Sequence, residues 1–389
     1  MSFKKNLCKI FVIFALIFYG NLKNRYILQR KINHENLALC LLKHMSAKGK
    51  TAWAIAGFML MAAMTGTIWF YSSGFTLKEP TYIFIDRDDN IDSVSHKIAK
   101  DCKPQSIRAF RLYSMLFKLE KRIRTGKYEV RPDMKMMELV RDIRNHNERP
   151  IKIIIPPVRT VNEMVRRIAP QLMIDSMEIV EYINDTTNLR QMGYSKETLP
   201  SLFIPNTYEV YWDITVQDLF ARLQKENDAF WNEKRLAKLQ EVSLYAGEEM
   251  TKEKVSTLAS IIDSETANNP EKPNIASLYL NRLRLGMPLQ SDPTIKFALQ
   301  DFTLKRILYK HLEAESPYNT YKRTGLPPGP ICIPSIAGLD AVLNHTKTNY
   351  LYMCAKEDFS GTHNFEAEYS KHQQNAARYA RALNQLGIR

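Results

Sequence analysis

Cysteine is scarce in this 389-residue sequence. The five residues, Cys8, Cys40, Cys102, Cys332 and Cys354, are odd in number, widely scattered and never arranged as Cys-x-x-Cys. That excludes a disulfide framework and a cysteine-based zinc site. His345, His363 and His372 fit no HExxH or related zinc spacing, so no metal is implied. G-x-S-x-G, the P-loop and G-x-G-x-x-G are all missing, which removes the serine-hydrolase, nucleotide and dinucleotide readings; no organic cofactor is implied. There is no internal repeat and no low-complexity linker. Acidic residues are nearly missing from the first fifty positions. Those hold ten Lys and Arg against one acid, Glu35, and so account for +9 of the net charge of +14. The rest of the chain is only mildly basic, which argues against a nucleic-acid partner and for an anionic lipid surface or polymer.

Residues 52–71 form an uncharged run with the length of a membrane-crossing helix. Trp53 lies at one end, and Trp69 and Tyr71 at the other, where amphipathic rings favour the interface. Lys43, Lys48 and Lys50 precede it, and only Lys78, beside Glu79, follows closely. The positive-inside rule therefore puts residues 1–51 in the cytoplasm and the part after the span outside (periplasmic), as a single-pass protein of the cytoplasmic (inner) membrane. The apolar stretch Ile10–Gly20 is too short to span and resembles a signal-peptide core without a cleavage site. Met45 opens a sequence suited to an N-terminus, so residues 1–44 are expected to be an over-extended translation start.

Past the span, hydrophobic periodicity predicts a strand at Thr81–Ile85, helices at Ile91–Asp101 and Ser106–Leu119, a strand at Gly126–Val130 and a helix capped by Asp133. Two strands enclosing two helices give residues 80–150 the pattern of a small LysM-like module. Residues 151–389 are expected to form a mixed α/β catalytic domain, which makes the whole chain α+β. Its predicted elements are a strand at Ile151–Ile155, a helix opened by a Thr160–Glu163 capping box, a helix capped by Asp175, an apolar loop over Leu199–Tyr208 and a long helix from Thr215 through Trp231. A charged helix to about Tyr245 follows, then helices at Thr251–Ala267 and Asn274–Leu285.

The helix Thr251–Ala267 spaces Val255, Leu258 and Ile262 along one face, and the next position of that stripe is Glu265. Burial and the negative end of the helix dipole both raise a carboxyl pKa. A Glu kept protonated near neutral pH is what a general acid for glycosidic cleavage requires. The alternative is a stripe-edge Glu paired with Arg282 or Arg284. Asp263 lies two residues away and faces elsewhere. Downstream come segments rich in amides, hydroxyls, aromatic rings and proline, suited to sugar recognition. Asp292-Pro293 is equally a helix start, with Asp292 as N-cap.

Five ordered blocks, Ile262-Asp-Ser-Glu-Thr-Ala267, Tyr279-Leu-Asn-Arg-Leu-Arg-Leu-Gly-Met-Pro-Leu-Gln-Ser-Asp-Pro-Thr294, Ser316-Pro-Tyr-Asn-Thr-Tyr321, Gly325-Leu-Pro-Pro-Gly-Pro-Ile331 and Gly361-Thr-His-Asn-Phe365, resemble the YceG-like (MltG) family of endolytic murein transglycosylases. The likeness covers roughly residues 80–389. Phe203-Ile-Pro-Asn-Thr-Tyr208 resembles the family's Phe-Pro-Asp-Thr-Tyr block, with Asn206 in place of Asp. The resemblance implies a lytic transglycosylase that cuts nascent peptidoglycan strands between MurNAc and GlcNAc, leaves 1,6-anhydro-MurNAc ends and limits strand length beside glycan-polymerising enzymes. It places the catalytic acid/base on Glu265. Gln290, Ser291, Asp292, Thr294, Tyr318, Asn319, Thr320, Tyr321 and His363 are the expected glycan-binding residues. A non-catalytic wall-binding scaffold is the alternative.

Overall fold

The computed structural model describes residues 55–66, 74–304 and 306–385. The expected start at 1–44 and cytoplasmic segment 1–51 lie outside the described residues, as do both ends of the expected span. Its middle, residues 55–66, is helical and exposes Ile55, Phe58, Met59, Met61 and Met64. No helix among the described residues is long and apolar enough to cross a membrane.

Strands β1 (Thr81–Ile85) and β2 (Gly126–Val130) pair antiparallel, Thr81 opposite Val130 and Ile85 opposite Gly126. Helices α1 (Ile91–Asp101) and α2 (Ile107–Leu116) lie between them in the chain, and α3 (Met136–Asn145) follows. Strand alternation turns Ile83 and Ile85 inward, onto a core with Val94, Ile98, Phe110, Tyr128, Leu139 and Ile143. Asn90 and Ser93 form a reciprocal capping box at the start of α1. Asp133 does not cap α3; the cap position is Lys135. Met134 is buried along with Met136, so a turn carries the chain into the core before the helix begins, and Asp133 stays outside near Arg131.

A second core is built around β3 (Ile151–Ile155) and β4 (Asn206–Val210), again antiparallel. Around this pair lie α4 (Val161–Ile168), α5 (Ser176–Asn184), α6 (Thr186–Gln191) and α7 (Val216–Phe230). Thr160, Asp175 and Thr215 cap α4, α5 and α7 as their sequence positions suggest. The apolar loop expected over Leu199–Tyr208 is instead a 3-10 turn, Leu199–Leu202, running into β4. Thr207 to Val210 alternates exposed and buried residues, with Tyr208 and Val210 inward and Asn206 exposed at the strand start, and Pro205 just ahead obscures that period.

The third core belongs to α8 (Glu233–Ala246), α9 (Lys252–Glu265), α10 (Lys272–Arg284), α11 (Asp292–Leu299) and α13 (Ile336–Leu343), with the short α12 (Tyr309–Leu312) outside it. A hairpin of β5 (Tyr352–Ala355) and β6 (His363–Glu366) and the terminal helix α14 (Tyr369–Gln385) close it. The whole is a mixed α+β molecule of many helices and three two-stranded sheets among the described residues. Helix α9 lies at the centre, against α10, α11 and α13. Its apolar surface is wider than a stripe, because every residue from Val255 to Ile262 is buried. Two of the polar members of that run donate to backbone carbonyls, Thr257 to Glu253 and Ser260 to Thr257. The fit against α13 is close: a Cβ at Gly338 would stand 2.6 Å from an Asp263 oxygen.

Candidate active site

Glu265 is the last residue of α9, capped by Thr251 at the far end. Its carboxylate is therefore presented where the chain leaves the central helix. Tyr279 of α10 donates its hydroxyl to Oε1 at 2.8 Å, and Ser291 donates to the same oxygen. Both partners are almost wholly buried. Burial is the largest influence on Glu265 and raises its pKa. The two hydroxyl donors oppose that rise, the Asp292 charge adds to it and His363 opposes it. The result is a half-buried carboxyl group held toward its neutral form but close to donors that can stabilise its anion.

Neither Arg282 nor Arg284 pairs with Glu265. The Arg282 guanidinium is bound to the backbone oxygens of Leu351 at 2.7 Å, Leu289 at 2.8 Å and Pro288 at 3.2 Å, and to Gln290 Oε1 at 3.3 Å. It fastens the Pro288–Gln290 turn to the β5 hairpin and stacks its cation over Tyr352. Arg284 turns to Asn281. Asp263 does face elsewhere: it accepts from the backbone N–H and hydroxyl of Ser335, the cap of α13, and pairs with buried Lys272 at 2.7 Å.

The structure brings Ser291, Thr294 and Thr320 into one buried hydroxyl cluster. Thr320 Oγ1 accepts from the Ser291 N–H at 3.0 Å and meets Thr294 Oγ1 at 2.8 Å. Thr294 donates to the Ser291 carbonyl at 2.6 Å. Ser291, not Asp292, is the cap position of α11, yet its side chain makes no cap bond. Asp292 is the first helical residue and accepts from Tyr321 Oη at 2.6 Å. Asn319 is 0% exposed. Its amide donates to the carbonyls of Leu312 and Ala314, and its oxygen accepts from the N–H groups of Tyr321 and Lys322, so it shapes the loop from within. Tyr318 packs on Phe297, ring centroids 4.6 Å apart. Gln290 is exposed, in a left-handed conformation (φ 53°). His363 opens β6 and is held by Glu271, which accepts its backbone N–H at 2.7 Å and faces Nδ1 at 3.2 Å.

A cleft of about 500 Å³ runs beside Ser264 and Thr266, walled by Arg159, Lys296, Phe297 and Phe302. A second of about 510 Å³ lies under Thr320, lined by Lys322 through Pro328. Glu265 lines neither, but its chain neighbours Ser264 and Thr266 line the first, and Thr320, bonded to Ser291, lines the second.

Residues 83–378 match the model of the YceG-like family. The chain belongs to the YceG-like family. An endolytic murein transglycosylase of Bacillus subtilis is 27% identical over 72% of this chain and 80% of its own length. One from Streptococcus pneumoniae serotype 2 is 30% identical over 40% of this chain but only 28% of its own length. The crystal structure of a protein described as YceG-like from Listeria monocytogenes is 26% identical, with a TM-score of 0.50 over 77% of this chain and 99% of that one.

Sequence reasoning about this YceG-like protein singled out Ser291 but overlooked Tyr279 and Glu271 as site residues. Tyr279 sits in the apolar run of α10, where an aromatic ring passes for core. Glu271 precedes that helix in a 3-10 turn, Asn269–Glu271, and only the returning hairpin shows that it supports His363. The position of Tyr279 in a block that also holds Gln290 to Thr294 is the signal that could have exposed it.

Proposed function

We propose that this YceG-like protein is an endolytic lytic transglycosylase, in which Glu265 cuts the MurNAc–GlcNAc bond of peptidoglycan glycan strands. The observation that carries this reading is the environment of Glu265: a carboxyl group raised by burial at the end of the central helix, with two buried hydroxyls on one oxygen. Glu265 gives its proton to the leaving O4 as the C1–O4 bond breaks. The resulting carboxylate, stabilised by Tyr279 and Ser291, then takes the proton of the C6 hydroxyl as O6 closes on C1. Glu265 ends protonated, no water is consumed, and the product carries a 1,6-anhydro-MurNAc end. A hydrolase would employ a second carboxyl group on water or as nucleophile. Here the neighbouring carboxylates are engaged, Asp292 with Tyr321 and Glu271 with His363, which supports a mechanism with one acid/base. The names of the relatives support the same reaction.

The finer parts of the proposal rest on other observations. The β1–α1–α2–β2 arrangement with its own core supports a LysM-like wall-binding module. The exposed apolar helix at residues 55–66, inside the uncharged run 52–71, supports a single-pass anchor with the catalytic part outside the cytoplasmic membrane. From there the enzyme would trim strands as polymerising enzymes make them and so limit their length.

The decisive experiment incubates the detergent-purified full chain with purified sacculi and identifies released fragments by mass spectrometry. Anhydro-muropeptides from the wild type and none from Glu265→Gln are expected. Fragments with reducing ends, or release by Glu265→Gln at the wild-type rate, would overturn the mechanism.

A further inference from the structure

Far along the chain from Glu265, three ligand-type side chains converge between the first two cores. His146 ends α3 in a left-handed conformation (φ 57°). Glu148 lies in the link to β3, and Asp213 follows β4. Their donor atoms all lie within 4.8 Å of one another. We propose that His146, Glu148 and Asp213 form a divalent-cation site, suited to zinc, that pins the β1–β2 module to the β3–β4 module.

The distances carry the first part of the argument. His146 Nε2 stands 3.1 Å from Glu148 Oε1 and 3.3 Å from Asp213 Oδ2. Nitrogen and oxygen donors about 2.0–2.1 Å from a tetrahedral zinc are separated by about 3.3 Å, so both edges fit a shared metal. The donor set, one imidazole and two carboxylates, suits zinc among common divalent ions, with water as the fourth ligand.

Hydrogen-bond accounting carries the second. The Glu148 side chain is only 2% exposed, yet its Oε1 has no hydrogen-bond partner. An imidazole Nε2 holds at most one proton, and its hydrogen-bond contact is with Asp213. Two carboxylates thus face one nitrogen, and Oε1 of the buried one is left without a partner, an expensive arrangement without a cation.

The surroundings resemble the outer shell of a metal site. Thr125 donates to Asp213 Oδ2 at 2.5 Å, and the Lys127 N–H donates to Glu148 Oε2 at 3.2 Å, each orienting a ligand. A Cβ at Gly126 would stand 2.6 Å from Glu148 Oε2, so glycine leaves room for that carboxylate. The His146 side chain is 45% exposed and gives an ion a way in. Beside the cluster, Phe84 of β1 meets Trp212 edge-on at 5.0 Å. A metal there would lock a contact already made by aromatic packing.

The test uses the full chain in detergent, stripped with a chelator and titrated with zinc alone by calorimetry, then with cobalt for its visible spectrum. One equivalent of zinc, a raised Tm and the absorption bands of tetrahedral cobalt are expected. His146→Gln, at a half-exposed position that should leave the fold intact by circular dichroism, should lose at least tenfold in affinity and also lose the cobalt bands. Sub-stoichiometric binding by the wild type, octahedral cobalt only, or equal zinc affinity in folded His146→Gln would overturn the site. Should His146→Gln fail to fold, the wild-type cobalt spectrum decides alone.

Discussion

Tyr279 and Ser291 place their hydroxyls on the same oxygen of Glu265, Oε1. Both bonds favour the charged carboxylate, whereas burial favours the acid. Removing one donor therefore raises the Glu265 pKa further. Glu265 must be protonated to begin the reaction, so activity falls as pH rises through that pKa, and the alkaline limb of Tyr279→Phe should move to higher pH. The carboxylate formed midway also loses a charge-assisted bond worth ~1.5–3 kcal/mol, so the rate should drop about 10- to 100-fold. A pH–rate profile of anhydro-muropeptide release checks both; an unshifted limb would mean the ring only packs.

Glu265→Gln should be more stable than the wild type at neutral pH. A carboxyl whose folded pKa is raised binds more protons folded than unfolded, so stability falls as pH climbs from the ordinary value of 4.5 through the raised one. Glutamine carries no such dependence and still accepts from Tyr279 and Ser291. Thermal melts over pH 4–8 should show the variant's advantage growing with pH and closing below about pH 4.5. A constant gap at every pH would remove burial of the charge as its cause.

Asp263→Asn should keep catalysis and lose stability. Its carboxylate pairs with Lys272, both side chains largely buried, and holds the cap of α13. Taking one charge from a buried pair costs about 3–5 kcal/mol. Urea unfolding should show that loss, while anhydro-muropeptide release at low temperature stays within about threefold of wild type. Lost catalysis in the folded variant would implicate Asp263 in the chemistry.

Orientation is open to a direct check. A reporter that works only outside the cytoplasm, fused after Arg389, should be active. A cytoplasm-only reporter that functions at that position would reverse the topology and remove the substrate from reach.

The parts of this protein legible in its sequence are those governed by local rules. Thr81–Ile85, Gly126–Val130, Ile151–Ile155 and Ile91–Asp101 form as their periodicity indicates, because alternation and helical spacing act over a few residues. Glu265 could be singled out for the same reason, as the end of an apolar helix. The site around it was less legible because it is assembled from α9, α10 and the start of α11, and no local period records that Tyr279 and Ser291 share an oxygen. Asn319 illustrates the converse: an amide in a sugar-like motif looks available until its four loop bonds are seen. The trio of His146, Glu148 and Asp213 escaped notice because His146 and Asp213 are 67 residues apart and meet only when two cores touch.

Ser291 occupies the cap position of α11 without capping it, since its hydroxyl is turned to Glu265. A serine that bonded its own helix would add about 1 kcal/mol to folding. The helix start is thus left weaker than its sequence allows at the point where the charge on the acid must be controlled. A stronger cap cannot recover that stability: Asp at 291, where the side chain is almost wholly buried, would set a second carboxylate against Glu265, and burying that charge costs more than the cap returns. Such a variant should melt earlier as well as cut more slowly, so the weak start of α11 is fixed in place by the acid it serves.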